Sequence, residues 1–295
     1  MRRIVLEIEY HGAGFFGWQR QGPNRSVQAT LEAAAADLLG APVALHASGR
    51  TDRGVHALGM AAHLDVESRL PCAELLMALN ARLPEDVSVR SVREADPRFH
   101  ARFDALGKLY RYSLYLSRSR SPLQRDRTAF MPRALDARAM AEAAALLVGT
   151  HDFASFRTNP DDEPGDEDDD GPEVTADLFG PAAVQEGSFV APPWRKPRPK
   201  GTVRTIATAS VREHNHVLRL EVRGNGFLRG MVRAIAGSLV EVGLGKQPPG
   251  WLRQVMDSRD RRAAGANLPA CGLTLVRVED PAEPFAGREA AGNPA

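Results

Sequence analysis

The chain has 295 residues, enough for one large or two ordinary domains, and at 43% hydrophobic it can bury a substantial core. Lys and Arg number 38 against 37 Asp and Glu, so overall charge excludes neither nucleic acid nor protein partners, and only a local basic surface could favour RNA. The two cysteines, Cys72 and Cys271, have no Cys or His neighbour at metal-ligand spacing, which argues against zinc and fits a reducing compartment. The first residues run straight into an alternating strand with no long apolar segment. No signal peptide or membrane span is therefore expected, and the chain reads as cytoplasmic.

In chain order, Ile4, Leu6, Ile8 and Tyr10 alternate with polar neighbours and predict a half-buried strand. Gly12-Ala13-Gly14-Phe15-Phe16-Gly17 follows, a formal GxGxxG match. A dinucleotide site needs a helix to begin at the last of these glycines. Trp18-Gln19-Arg20-Gln21-Gly22-Pro23-Asn24 is loop instead, and the helical spacing of Val27, Leu31, Ala34, Ala35 and Leu38 begins only after Ser26, a good N-cap. A nucleotide cofactor is therefore not expected. Gly40 closes this helix.

Pro42 to Ala47 and Met60 to Val66 predict two strands. Between them lies Ser48-Gly49-Arg50-Thr51-Asp52-Arg53-Gly54-Val55-His56-Ala57, with one carboxylate between two arginines and glycines outside those. On composition alone this is an ordinary polar turn. Chemically it is also a place for an ionised catalytic acid, because flanking guanidiniums favour the charged carboxylate. A second helix is expected from about Pro71 to Leu83, ended by Pro84, and a strand from Val87 to Val92. The order strand, helix, strand, strand, helix, strand is the ferredoxin-like arrangement.

His100, in Phe99-His100-Ala101-Arg102-Phe103, is read as structural. Lys108 to Leu116 is a tyrosine-rich strand in which Tyr112 and Tyr115 read as packing residues. Asp136 caps a helix through Met140, Ala143, Ala144 and Leu147, with Gly149 as its stop. From Thr158 to about Gly201 the composition turns to acids, prolines and then basic residues, which cannot bury enough surface to order itself. Val203 to Val211 and Val217 to Val222 predict a strand pair with its turn near Glu213-His214-Asn215. A helix opens near Gly226 with Leu228, Val232, Ile235, Leu239 and Val242 on its apolar face. Trp251 to Met256 suggests a short helix, Leu273 to Val278 a last strand, and the tail from Pro281 is expected to fray.

Several of these strings together resemble the bacterial tRNA pseudouridine synthase A family (TruA type). The closest string is Gly49-Arg50-Thr51-Asp52, continued by Gly54-Val55-His56-Ala57. Others are Gly17-Trp18-Gln19-Arg20-Gln21, Tyr110-Arg111-Tyr112 after Phe99 to Phe103, Met231-Val232-Arg233 followed by Gly237-Ser238-Leu239, and Gly272-Leu273 with Leu275. The resemblance spans Ile4 to Val278 except the 158–201 stretch, which it marks as an insertion. It implies an α+β fold of two ferredoxin-like domains, 1–104 and 105–280, joined through a mainly antiparallel sheet with a central cleft. It also implies a homodimer that acts on the tRNA anticodon stem-loop at positions 38–40 without a cofactor. By the same resemblance Asp52 is the catalytic nucleophile or base and Arg50 and Arg233 support it. Tyr110 stacks on the target uracil and takes its C5 proton, Leu273 walls the uracil pocket, and Arg20 and Gln21 sit on a loop that meets RNA. Two other readings remain: an RNA-binding protein without catalysis, and a nucleotide-dependent oxidoreductase built on the glycine run.

Overall fold

The computed structural model describes residues 1–158 and 201–281. The acid-rich stretch and the tail beyond Pro281, singled out above, lie outside them. Strand β1 (Arg2–Tyr10), helix α1 (Val27–Leu39), β2 (His46–Ala47), β3 (His56–Val66), α2 (Cys72–Asn80) and β4 (Val87–Ala95) follow in the expected order. Then come β5 (Gly107–Leu116), β6 (Ala129–Met131), α3 (Ala137–Ala145), β7 (Gly149–Asp152), β8 (Val203–His214), β9 (Val217–Gly224), α4 (Met231–Gly243), α5 (Trp251–Ser258) and β10 (Leu273–Glu279).

The strands form one sheet in the order β4-β1-β3-β10-β5-β9-β8-β7, with β2 beside β3 and β6 beside β5. It is mostly antiparallel; β10 runs parallel to β3, and β6 parallel to β5. The strand latest in the chain is thus the central one. Leu275 is opposite Ala57 of β3 on one side and Tyr110 of β5 on the other. The fold is α+β.

The alternation of β1 works as the sequence predicts. Ile4, Leu6, Ile8 and Tyr10 join one contiguous core with Val27 and Leu31 of α1, Leu75 and Leu79 of α2, Met140 of α3 and Leu239 of α4. Val5, on the opposite face, packs instead with Phe99 and Ala101. Helix α4 is the most enclosed, with only Glu241 outside the buried set. Fully burying one such Leu or Ile contributes roughly 1.5–3 kcal/mol. Ser26 Oγ accepts from the Ala29 amide at 3.3 Å, Asp136 accepts from that of Ala139 at 2.9 Å, and Gly40 ends α1 at φ 72°.

Several boundaries differ from expectation, each for a local reason. Of the strand read over Pro42 to Ala47, only His46 and Ala47 pair; the Leu45 amide donates to Glu32 Oε1 of α1 at 3.0 Å and not to a ladder. Helix α2 stops at Asn80, whose side chain exchanges bonds of 2.8 Å with both backbone groups of Val89. Helix α3 ends at Ala145, so Gly149 is not its stop but the first residue of β7. The β8–β9 turn is centred on Asn215 and His216, at φ 48° and 63°, the paired positive values of a two-residue hairpin. Helix α4 begins at Met231, not near Gly226, because Gly230 sits at φ 66° against Thr158. Residues 226–229 therefore form a loop, which frees Phe227 to pack elsewhere.

Candidate active site

The 48–55 connection is held from three sides. From the N-terminal side, the Trp18 amide donates to the Thr51 carbonyl at 3.0 Å, and the Gly54 amide donates to that of Phe15 at 3.3 Å. Tyr10 Oη and Thr51 Oγ1 are 2.7 Å apart. His56 Nδ1 accepts the Gly12 amide at 3.0 Å, so the glycine run is bonded to both ends of the loop. From β5, Lys108 Nζ donates to the Ser48 carbonyl at 3.0 Å. Within the loop, the Val55 amide donates to the Asp52 carbonyl at 3.2 Å, closing a turn in which Gly54 has φ 79°. That positive φ is one that glycine adopts without strain.

The third side is α4. Arg233 Nη1 stands 3.5 Å from Asp52 Oδ2, although the two residues are 181 apart in sequence. Their side chains are 11% and 20% exposed, so water screens the pair only partly. Arg233 is itself oriented, since Nε donates to the Leu268 carbonyl at 2.8 Å. A guanidinium with one edge fixed presents the other to the carboxylate in a defined direction.

Tyr110 lies on β5, buried to 8% exposure, and its ring meets that of Phe227 edge to face at 4.9 Å. Burial first, and then the negative charge of Asp52, pushes the Tyr110 hydroxyl well above the ordinary tyrosine pKa. The ring is thus near enough to Asp52 to feel its charge. A phenol held protonated is a poor proton acceptor. This revises one expectation: Tyr110 is suited to hold a ring, not to remove the C5 proton.

The chain matches the family described as tRNA pseudouridine synthase over residues 7–104 and 189–279. The tRNA pseudouridine synthase A of Thermus thermophilus is 41% identical over 284 residues, 96% of this chain and 98% of that one. Those of Acetivibrio thermocellus and Pseudomonas aeruginosa are 38% and 39% identical over 94% and 95% of this chain, and 99% and 86% of their own. The chain belongs to the tRNA pseudouridine synthase family.

Within this pseudouridine synthase the remaining sequence-predicted residues fall as follows. Arg50 lines a cavity beside the loop, together with Trp18, His100 and Arg102. Leu273 is buried at the start of β10, opposite Tyr112 and one residue before the pairing of Thr274 with His56. Asp52, Arg233 and Tyr110 are therefore brought together, and Leu273 borders the same region. Arg20 is exposed and bonds Glu32 at 3.3 Å. His100 is buried; its Nδ1 accepts the Arg102 amide at 3.2 Å, as its structural reading requires. No group of three or more potential metal ligands occurs among the described residues. None of their helices is long and apolar enough to cross a membrane.

Three contributors were missed from sequence. Phe227 was folded into the helix pattern of its neighbours. Tyr10 was read only as a core residue of β1. The glycine run was rejected as a nucleotide site, correctly in that α1 begins only at Val27, but its role as a clamp on the Asp52 loop gives no local signal.

Proposed function

We propose that this protein is an isomerase that converts uridine to pseudouridine in tRNA, at positions 38–40 of the anticodon stem-loop, with Asp52 as the catalytic carboxylate. The observation that carries this reading is the Arg233–Asp52 pair, because it joins the two chain segments that resemble separate motifs of the family.

The reaction breaks the N1–C1′ bond and forms a C5–C1′ bond; the C5 hydrogen leaves as a proton and N1 gains one. No net oxidation occurs, so no redox cofactor is needed. Asp52 serves as nucleophile or as base on the uridine. Arg233, with Arg50 on the same loop, keeps that carboxylate ionised and aimed. Tyr110, backed by Phe227, provides a stacking surface for the extruded base, worth about 1–3 kcal/mol. That is the same order as the few kcal/mol needed to take a base out of its stack. Leu273 closes one wall of the uracil pocket.

The two halves of the sheet, on either side of β10, are read as ferredoxin-like domains covering 1–104 and 105–280, with the cleft between them over β10. Strand order β4-β1-β3 with β2 beyond β3 supports this for the first half. Homodimerisation and a cytoplasmic setting complete the reading.

The test is to incubate the pure protein with unmodified tRNA and map pseudouridine in the product. Pseudouridine at positions 38–40 with wild type, and none with Asp52→Asn at unchanged tRNA affinity, is the expected result. Turnover by Asp52→Asn near the wild-type rate would remove the assignment.

A further inference from the structure

Behind Arg50, on the side of the loop away from Arg233, lies a half-open cavity of about 190 Å³. Trp18, Leu45, His100 and Phe103 are its buried lining residues, and Arg50, Arg102 and the exposed His46 are also part of its wall. The lining carries two guanidiniums and two imidazoles but no carboxylate. Such a wall favours an anion, and arginine is the side chain best matched to phosphate.

The rest of the wall is aromatic or amide. His100 Nδ1 accepts the Arg102 amide, which leaves Nε2 to carry the imidazole hydrogen. Gln19, also on the wall, has a buried Oε1 with no hydrogen-bond partner. A buried acceptor without a donor is costly, and a ligand N–H would satisfy it. Phosphate-binding cations, flat apolar rings and an unsatisfied amide oxygen together describe a nucleotide and not a bare anion. Arg50 and Asp52 are two residues apart, so the cavity lies within about 7 Å of chain from the catalytic carboxylate.

We propose that this cavity is a second nucleotide subsite, which takes a nucleotide of the RNA close to the reacting uridine. Its phosphate lies against Arg102 and Arg50, and its base lies between Trp18 and Phe103 with an N–H toward Gln19 Oε1. The identity of the RNA rests on the function proposed above; the nucleotide chemistry of the cavity does not.

The experiment uses the full chain with Trp194→Phe and Trp251→Phe, which leaves Trp18 as the only indole. Uridine 5′-monophosphate, uridine and inorganic phosphate are titrated against its fluorescence, with unmodified tRNA as competitor. The monophosphate is expected to quench at least tenfold more tightly than uridine or phosphate, and tRNA to displace it. Arg102→Gln is expected to weaken that binding at least tenfold, and His46→Ala, at an exposed position, at least threefold; Asp52→Asn leaves it intact. In turnover, Arg102→Gln raises KM for tRNA with kcat within twofold of wild type.

Loss of quenching in Asp52→Asn but not in Arg102→Gln or His46→Ala would place the ligand in the catalytic site and overturn the proposal. Monophosphate binding that tRNA fails to displace would overturn the RNA subsite in favour of a free-nucleotide site. A wild-type protein that binds the monophosphate but makes no pseudouridine would instead count against the proposed reaction alone.

Discussion

Gly17 approaches Thr51 so closely that a Cβ at position 17 would stand 2.6 Å from the Thr51 carbonyl oxygen, and its φ is 99°. Both facts forbid a side chain there. The Trp18 amide, one residue on, donates to that same carbonyl. Gly17→Ala is expected to cost roughly 1–3 kcal/mol from backbone strain alone. It is also expected to lower kcat by displacing the Asp52 loop. Urea unfolding and single-turnover pseudouridine formation check the two effects. A variant with wild-type kcat would show that the clamp does not position the loop.

Arg233→Ala removes a charge-assisted contact worth roughly 1.5–3 kcal/mol. If that contact acts mainly in the transition state, the loss corresponds to about 10–150-fold in rate. Arg233→Lys keeps the charge but loses the fork that serves Leu268 and Asp52 together, so only partial recovery is expected. Rapid-quench kinetics on tRNA labelled at uridine C5 with tritium measures both.

Tyr110→Phe keeps the ring and removes only a hydroxyl that burial and Asp52 hold protonated. It is expected to retain most tRNA affinity and substantial turnover. Tyr110→Ala is expected to lose about 1–3 kcal/mol of binding to the extruded base. Phe227→Leu removes an edge-to-face contact worth about 0.5–1.5 kcal/mol, and an intermediate loss should follow. A Tyr110→Phe variant as inactive as Asp52→Asn would give the hydroxyl a chemical role.

Stability is expected to fall as pH drops from 7 to 5. His63 is 1% exposed and its Nδ1 accepts the Ala101 amide at 3.2 Å. Burial first, then nearby His100, Arg3 and His46, depress its pKa well below the usual value. His56 is shifted the same way, by burial and then His11. The unfolded chain takes up these protons near pH 6.5 and the folded chain does not. The histidine contribution is therefore constant above that pH, and stability is lost below it, by up to about 1.4 kcal/mol per unit for each such histidine. Urea denaturation at pH 7, 6 and 5 measures the slope, and His63→Gln should flatten it.

Periodicity and caps make most of the elements legible: Ser26 and Asp136 name their helices, and β1 shows its buried face by alternation. What stays hidden is anything decided by distant partners. Whether Leu45 enters a ladder depends on Glu32, and where α4 starts depends on Thr158. The site follows the same rule. Asp52 stands out locally because of its arginines and glycines, whereas Arg233 lies in an apolar helix and gains its meaning only from what it faces. The place of β10 is invisible locally too, since Leu273 to Val278 reads as a strand that could join either edge or the middle.

That central place makes β10 a keystone. Neither β3, which follows the Asp52 loop, nor β5, which carries Tyr110, has its inner neighbour until the segment latest in the described chain arrives between them. During synthesis the earlier strands emerge first and await it. A nascent chain can therefore collapse in both halves without being able to act on RNA, and competence comes in a single late step.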